Sequence, residues 1–429
     1  MRRSLLLALL AGVLLAALPV AAADAARGSC LVGIPGPECV VWNAKVRSVN
    51  DGDTMDVDVL RDGTSATRRI RMTGIQAMEQ SVYSARRRAG DCHAVEATNR
   101  LEALVRRSKG KVRLAAQDPE STSQSQRRSV RTVAVKLNGR WRDAGTILMH
   151  EGLALWWPGR TEWAVNGVYS VEQQRAIAGQ RGLFDPDACG VGPSAASPLK
   201  LWANWDADGD DNANPEGEWV KVRNLDPVNP VPLGDWYLRD AGMRRYVFPP
   251  QAVAPPGGTI TVDVGTAGDD ATVFPWGLRS PVFSNARHDE IAMGDGAYLF
   301  DPLGNVRATT VFPCRWQCSD PLQGAVALSV DPNGRRESVT LTNVAAGPID
   351  LDGYVLKSEP KSYHFAPGSV LPPGGSMRVQ VVGDPAGDTA LEKGWGLEQP
   401  ILRDAGDLVK LLTYTDLTLA CAAWGDKTC

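Results

Sequence analysis

Histidine is scarce in this chain. The 429 residues hold four, His93, His150, His288 and His364, and they are scattered. Only His93 stands near a cysteine, so a His/Cys zinc site is disfavoured. Aromatic residues reach only 7%, although 13 of them are tryptophan. The acidic stretch Asp206-Ala207-Asp208-Gly209-Asp210-Asp211-Asn212 has acids at the first, third and fifth positions. It lacks the glycine at six and the glutamate at twelve that an EF-hand loop needs, and reads as a solvated connecting loop. The C-terminal GDKTC has neither an apolar tail nor a visible sorting motif. One apolar run, residues 5–20, follows Arg2 and Arg3 and precedes the small-x-small Ala23-Asp24-Ala25. That is the pattern of an export signal over residues 1–25. The run is short for a membrane anchor and ends in small residues. Arg27-Gly28-Ser29-Cys30 lacks the apolar residue that a lipoprotein signal places three before its cysteine. These features predict a soluble, secreted protein with no transmembrane span in the mature chain.

The length implies two to three domains. With 43 Gly and 29 Pro, many turns and short strands are expected. Charge divides the chain. Residues 41–190 carry 24 Lys+Arg against 17 Asp+Glu, whereas residues 191–429 carry 19 against 30. A basic half suits a polyanion and an acidic half does not. The eight cysteines fit an oxidising compartment. Their spacings suggest the pairs Cys30–Cys39, Cys92–Cys189, Cys314–Cys318 and Cys421–Cys429, although spacing alone does not prove connectivity.

The densest chemistry lies between positions 46 and 79, which hold Asp51, Asp53, Thr54, Arg71 and Glu79. Carboxylates beside an arginine suit phosphodiester chemistry: the acids hold a divalent cation or activate water, and the arginine stabilises charge on phosphate oxygens. Met55, Val57 and Val59 alternate with Asp56 and Asp58, which reads as a half-buried strand. Arg61-Asp62-Gly63 is a turn signal, and residues 67–72 alternate again, so the two strands form a hairpin. That hairpin brings the Asp51–Thr54 end near Arg71 and Glu79.

Asp51-Gly52-Asp53-Thr54, then Arg71-Met72-Thr73-Gly74-Ile75-Gln76-Ala77-Met78-Glu79, resembles the staphylococcal-nuclease pattern DGDT…RLxGIDAPE. The resemblance extends over residues 46–184. It includes the run from Trp141 to Ala154 and the closing Gly182-Leu183-Phe184, and it implies a five-stranded oligonucleotide-binding-type barrel with three helices. By that resemblance Asp53, Gln76 and the Ala77 backbone would hold Ca2+, Glu79 would position or deprotonate water, and Arg71 with Arg131 would neutralise the transition state. Gln76 departs from the family, which has aspartate there, so metal binding is expected to be weakened or to use another divalent ion. Ser129-Val130-Arg131 stands where the family has Tyr-Gly-Arg, and Arg127 or Arg128 could reach the site instead. Arg86, Arg87 and Arg88 are either a solvated loop or, with Arg127 and Arg128, contacts to nucleic-acid phosphate. Residues 95–105 carry a helical apolar face, Trp141-Arg142-Asp143-Ala144-Gly145 opens a second helix, and residues 169–178 form a third. Cys92 and Cys189 would tie the first helix to the domain's end.

Residues 190–198 (GVGPSAASP) read as a linker. Beyond it the chain repeats. Glu218-Trp219-Val220-Lys221-Val222-Arg223-Asn224 recurs as Glu337-Ser338-Val339-Thr340-Leu341-Thr342-Asn343. Tyr246-Val247-Phe248 recurs as Tyr363-His364-Phe365, and Trp276-Gly277-Leu278 as Trp395-Gly396-Leu397, at offsets of 117 to 119. The order of these motifs resembles the lamin-tail domain, which implies immunoglobulin-like β-sandwiches for attachment or binding. The expected fold is α+β then all-β: a domain over 41–189, then sandwiches over 199–315 and 322–429. The expected function is an exported nuclease acting on DNA, RNA or both, preferably single-stranded, with an unknown ligand for the sandwich modules. The competing reading is a non-catalytic nucleic-acid-binding or envelope-attachment protein with a degenerate site.

Overall fold

The computed structural model describes residues 25–80, 90–123, 128–191, 198–266, 271–286 and 289–429. The proposed export signal, Arg86 to Arg88, Arg127 and most of the proposed linker lie outside them.

After a short strand β1 (Ala26–Ser29) come β2 (Glu38–Val49), β3 (Thr54–Val59), β4 (Thr67–Met72) and β5 (Ile75–Ala77). Helix α1 (Ala94–Arg107) precedes β6 (Lys111–Ala116), β7 (Ser129–Leu137) and β8 (Arg140–Asp143), followed by α2 (Ala144–His150), β9 (Ala154–Trp156) and α3 (Asn166–Ala178). Five strands close a barrel in the order β2-β3-β4-β7-β6, with β6 pairing back onto β2. Closure depends on the twelve-residue length of β2. Its Val40–Lys45 stretch pairs with β6 while Ala44–Val49 pairs with β3, across a register shift between Val46 and Ser48. The alternation read from β3 and β4 points Met55, Val57, Ile70 and Met72 inward, where they meet Val112, Leu114, Val133 and Val135. Helix α1 covers the barrel with Ala94, Ala97, Leu101, Leu104 and Val105, an i, i+3, i+4, i+7 stripe.

One expectation is corrected. Residues 141–143 do not open a helix but belong to β8, which pairs with β7 from Lys136↔Trp141 to Ala134↔Asp143. Asn138 and Gly139 both have positive φ, 50° and 80°, so Asn-Gly forms the tight turn that sends the chain back as a strand. The helix starts one residue later, with Asp143 Oδ1 accepting from Thr146 N at 2.6 Å as its N-cap.

Two β-rich units follow. Each builds two four-stranded sheets and a two-stranded ribbon, strand for strand in the same order. In the first, both sheets contribute to one buried cluster containing Val220, Val222, Leu238, Ile260 and Leu299. The repeated Glu and Asn are structural. Glu218 Oε2 accepts from Val282 N at 2.6 Å, and Glu337 accepts from Ile401 N and Leu402 N at 2.5 and 2.8 Å. Asn224 Nδ2 donates to the Asn229 and Ala254 carbonyls, and Asn343 Nδ2 to those of Gly347 and Leu371. Each motif residue is a buried polar group that satisfies loop backbone no ladder reaches.

The units are not beads on a string. The cluster inside the barrel unit also contains Tyr237, Ala241, Tyr298, Phe300, Val306 and Val311 of the first β-rich unit. Gln173 of α3 donates to Tyr298 Oη at 2.7 Å, and Cys189 N donates to Asn305 Oδ1 at 2.8 Å. All four disulfides pair as the spacings suggested. The acidic loop joins the two β-rich units: Asp206 pairs with Lys357, and Asp208 Oδ1 accepts from Ser362 N at 2.9 Å. No described helix is long and apolar enough to cross a membrane.

Burial pushes the Glu218 carboxyl up to about 8, and burial followed by the nearby Asp240 charge pushes Asp295 up to about 8. In the unfolded chain both ionise near 4. Stability from keeping them neutral is therefore complete below about pH 4 and lost progressively as pH rises to 8. Thermal melts should show Tm falling by several degrees between about pH 5 and pH 9. Glu218→Gln, which cannot ionise, should flatten part of that fall. An unchanged slope would place its origin elsewhere.

Candidate active site

The DGDT segment is the turn between β2 and β3. Asn50 N donates to Thr54 O at 2.9 Å, and Asp51 Oδ1 accepts from Asp53 N at 3.0 Å. Gly52 is required by close approach: a Cβ there would stand 2.7 Å from the Cβ atoms of both Ala77 and Ala97. The turn is thus pressed against β5 and α1, which aims Asp53 across the end of the barrel.

Asp53 is buried, and both its oxygens are engaged. Oδ2 accepts from Ala77 N at 2.8 Å; Oδ1 accepts from Thr54 Oγ1 at 3.0 Å and forms an ion pair with Arg71 Nη1 at 2.8 Å. Arg71, also buried, donates through Nη2 to Gln76 Oε1 at 2.6 Å and lies 5.6 Å from the centre of the Trp157 ring. Gln76 Nε2 turns the other way, to Glu79 Oε1 at 3.0 Å and Ala77 O at 3.1 Å. The amide orientation follows from its partners: arginine only donates, and a carboxylate and a carbonyl only accept. Glu79 is further held by Asp91, whose Oδ2 accepts from Glu79 N at 3.3 Å.

Asp51, Asp53, Arg71, Gln76, Glu79 and Trp157 line one open cavity of about 860 Å³, within the range of small-ligand sites. Arg128 also lines it, with Nη1 3.0 Å from Thr54 Oγ1. Burial and then the charge of Arg71 hold the Arg128 guanidinium below its ordinary range. Burial pushes the Asp51 carboxyl up to about 7, helped by the Asp53 charge, and burial followed by Asp53 raises Glu79. A guanidinium held below its ordinary range, facing carboxyls held above theirs, forms a polarised cleft suited to an anion and a proton acceptor.

The structure gathers Asp53, Arg71, Gln76, Ala77 and Glu79 as the spacing implied, and of Arg128 and Arg131 it places only Arg128 at the cavity. Arg131 does not line the cavity. Its Nη1 donates to Val130 O at 2.6 Å and Ser121 O at 3.1 Å, Nη2 donates to Pro119 O, and the guanidinium stacks 4.9 Å from the Trp42 ring. Alternation along β7 turns Val130 toward the cavity and Arg131 into the wall behind it. Arg128, just before the strand, takes the exposed place. Residues that sequence reasoning missed are Asp91, the half-exposed Trp157, and Gly242 with Met243 from the first β-rich unit, which form part of the cavity wall.

The donor set does not form the calcium cage that the resemblance implies. Calcium takes six to eight oxygens. Here the Asp53 oxygens are committed to Ala77, Thr54 and Arg71, and the Gln76 amide nitrogen sits against both Ala77 O and Glu79 Oε1, two of the groups that would face the ion. Elsewhere, the ligand atoms of Cys92, His93 and Cys189 lie within 4.8 Å of one another, but the two cysteines form a disulfide and offer no thiolate. No protein-family model and no curated protein matches the chain.

Replacing Arg131 by alanine would remove a donor from the carbonyls of Pro119, Ser121 and Val130 and the stacking on Trp42. It should cost roughly 1–3 kcal/mol of stability, whereas Arg128→Ala at the open cavity should cost no more than about 0.5 kcal/mol. Denaturant unfolding of the two variants measures this, and the opposite order would contradict the placement of the two side chains.

Proposed function

We propose that this protein is a phosphodiesterase of staphylococcal-nuclease type, cleaving DNA or RNA in an open, single-stranded form. The observation that carries the reading is the joint placement of Arg71 and Arg128 with Asp51, Asp53 and Glu79 around one cavity. A bound anion would favour the charge of the partly buried Arg128 guanidinium beside Arg71, and a phosphodiester supplies one. The basic balance of residues 41–190 adds attraction for a polyanion.

In this reading Arg71 is fixed by Asp53 and Gln76, so its remaining donors meet phosphate oxygens without reorganising. Arg128 approaches from the start of β7, beside Thr54. Glu79 orients the attacking water and takes its proton as the new P–O bond forms and the old one breaks. Its raised affinity for a proton, caused first by burial, suits a base working near neutral pH. Gln76 couples the two halves by bridging Arg71 to Glu79. Calcium affinity is weakened in this reading, because position 76 contributes a neutral amide whose nitrogen donates to the would-be ligands.

The same amide favours one alternative, a binding protein that has kept the cleft and lost cleavage. Two further parts of the reading rest on coarser observations. The β-rich units, each with two sheets about one core, are read as immunoglobulin-like, lamin-tail-like attachment modules. Export is supported by the four disulfides and by the signal pattern of residues 1–25.

Release of acid-soluble nucleotides from single-stranded DNA and RNA tests the proposal. Arg71→Ala and Glu79→Ala should each lower the rate roughly 100-fold or more. Wild-type rates in both would move the site elsewhere, and nucleic-acid binding without cleavage at any calcium level would select the alternative. Gln76→Asp tests the metal account separately. Restoring the acid should lower the calcium concentration for half-maximal cleavage by roughly tenfold or more, since affinity follows ligand charge. A variant needing as much calcium as the wild type would refute the weakened-site account.

A further inference from the structure

The first β-rich unit reaches into the cavity. Strands Tyr237–Arg239 and Arg245–Val247 form a hairpin whose turn, residues 240–244, packs beside the catalytic groups. Met243 Sδ lies 3.2 Å from Gln76 Nε2, and Arg239 Nη1 lies 3.3 Å from Met78 Sδ. The turn fits closely against Trp157: a Cβ on Gly242 would stand 3.2 Å from its Nε1.

The turn is held in a costly conformation. Met243 has φ 80°, a left-handed backbone that a non-glycine residue adopts at roughly 1–2 kcal/mol. Its side chain is 44% exposed, so burial of the methionine does not repay that cost. Asp240 Oδ1 accepts from Arg244 N at 2.7 Å, and Arg244 Nη1 donates to Val282 O at 2.7 Å, so hydrogen bonds on its C-terminal side hold the turn. A strained, rigid, apolar residue standing at the rim of a polar cavity is placed against whatever enters it.

The repeat shows what is special about this position. Leu238 corresponds to Leu356 at an offset of 118, but Tyr246 corresponds to Tyr363 at 117. The first hairpin therefore holds one more residue than the second, within the turn that meets the cavity. Both hairpins face the preceding unit: Lys357, the counterpart of Arg239, pairs with Asp206. The same docking element is used twice, and only the first copy carries the longer turn.

We propose that this turn is a specificity-determining wall of the cleft, with Met243 admitting one extended strand and excluding a duplex. The proposal rests on the phosphodiesterase reading for its substrate class. A phosphate reaching Arg71 and Arg128 must bring its neighbouring nucleotides past Met243. An unpaired strand bends and turns its bases aside. A duplex carries its complementary strand into the wall.

The test uses the full chain and two fluorescent substrates: a short oligothymidylate, and a hairpin duplex of matched length. Met243→Gly and Met243→Asn shorten the side chain while suiting a positive φ, so both should fold at least as well as the wild type. Cleavage rates and binding by anisotropy are read on both substrates. The wild type should prefer the single strand, and both variants should narrow that preference by roughly tenfold, the discrimination that one methylene-scale contact supplies. If the wild type cleaves neither substrate but binding shows the preference and its narrowing, the wall stands and the phosphodiesterase reading falls. A preference unchanged to within about twofold in both variants, or no binding of either substrate by the wild type, overturns the wall.

Discussion

The carboxylate of Asp53 is the constraint on which the site depends. It is one residue's side chain, but its partners come from three elements: Thr54 at the start of β3, Arg71 at the end of β4, and the backbone of Ala77 in β5. A buried carboxylate is tolerable only when its lone pairs are filled, and here three donors fill them. Those bonds fix where Arg71 points and how close β5 comes to the turn. Removing that charge would take away the carboxylate paired directly with the buried Arg71 guanidinium, which is why the segment reads as one structural and chemical unit.

Gln76 shows how a single change of residue type redirects such a network. An aspartate could accept from Arg71 but could not donate to Glu79. Glutamine does both, accepting at 2.6 Å and donating at 3.0 Å. The amide thus supplies a bridge between Arg71 and Glu79. The cleft is held together by neutral and ionic hydrogen bonds among its own side chains rather than left as a cluster of repelling acids.

Much of the barrel was legible because its signal is local. Alternation in β3 and β4, the apolar stripe of α1 and the Asp-Gly turn each depend on a few adjacent residues. The short strands β5, β8 and β9 were not legible, since three or four residues carry no period. For β8, the Asn138-Gly139 turn was nonetheless an available sign. Which arginine lines the cavity was not legible for a different reason. Arg128 and Arg131 are three residues apart at the start of a strand, and which one faces the cleft is decided by the register of β7 against β4, where Val130 pairs with Arg71. That register is a tertiary property. Met243 was invisible for the same reason, being 167 positions from the Gln76 it touches.

The repeat explains how residues so distant come to share a site. A β-rich unit has two sheets, and the outer face of one must be covered or left polar. In the first unit the sheet containing Tyr237, Tyr298 and Phe300 is apolar on that face and joins the core cluster that also contains β9 and the barrel. In the second unit the corresponding hairpin meets the first through ion pairs, Lys357 with Asp206 and Lys361 with Asp208. Both junctions bury side chains rather than resting on charge alone. Trp205 Nε1 donates to Tyr414 O at 3.0 Å, Trp219 lies edge-on to His364 and Tyr414 at 5.3 Å, and a Cβ on Gly353 would stand 2.7 Å from the Trp202 ring, so aromatic packing backs the ion pairs between the two β-rich units. An apolar junction of this kind resists the relative motion that a purely polar one allows. The cavity lies at the first of these seams, where Gly242 and Met243 meet the barrel.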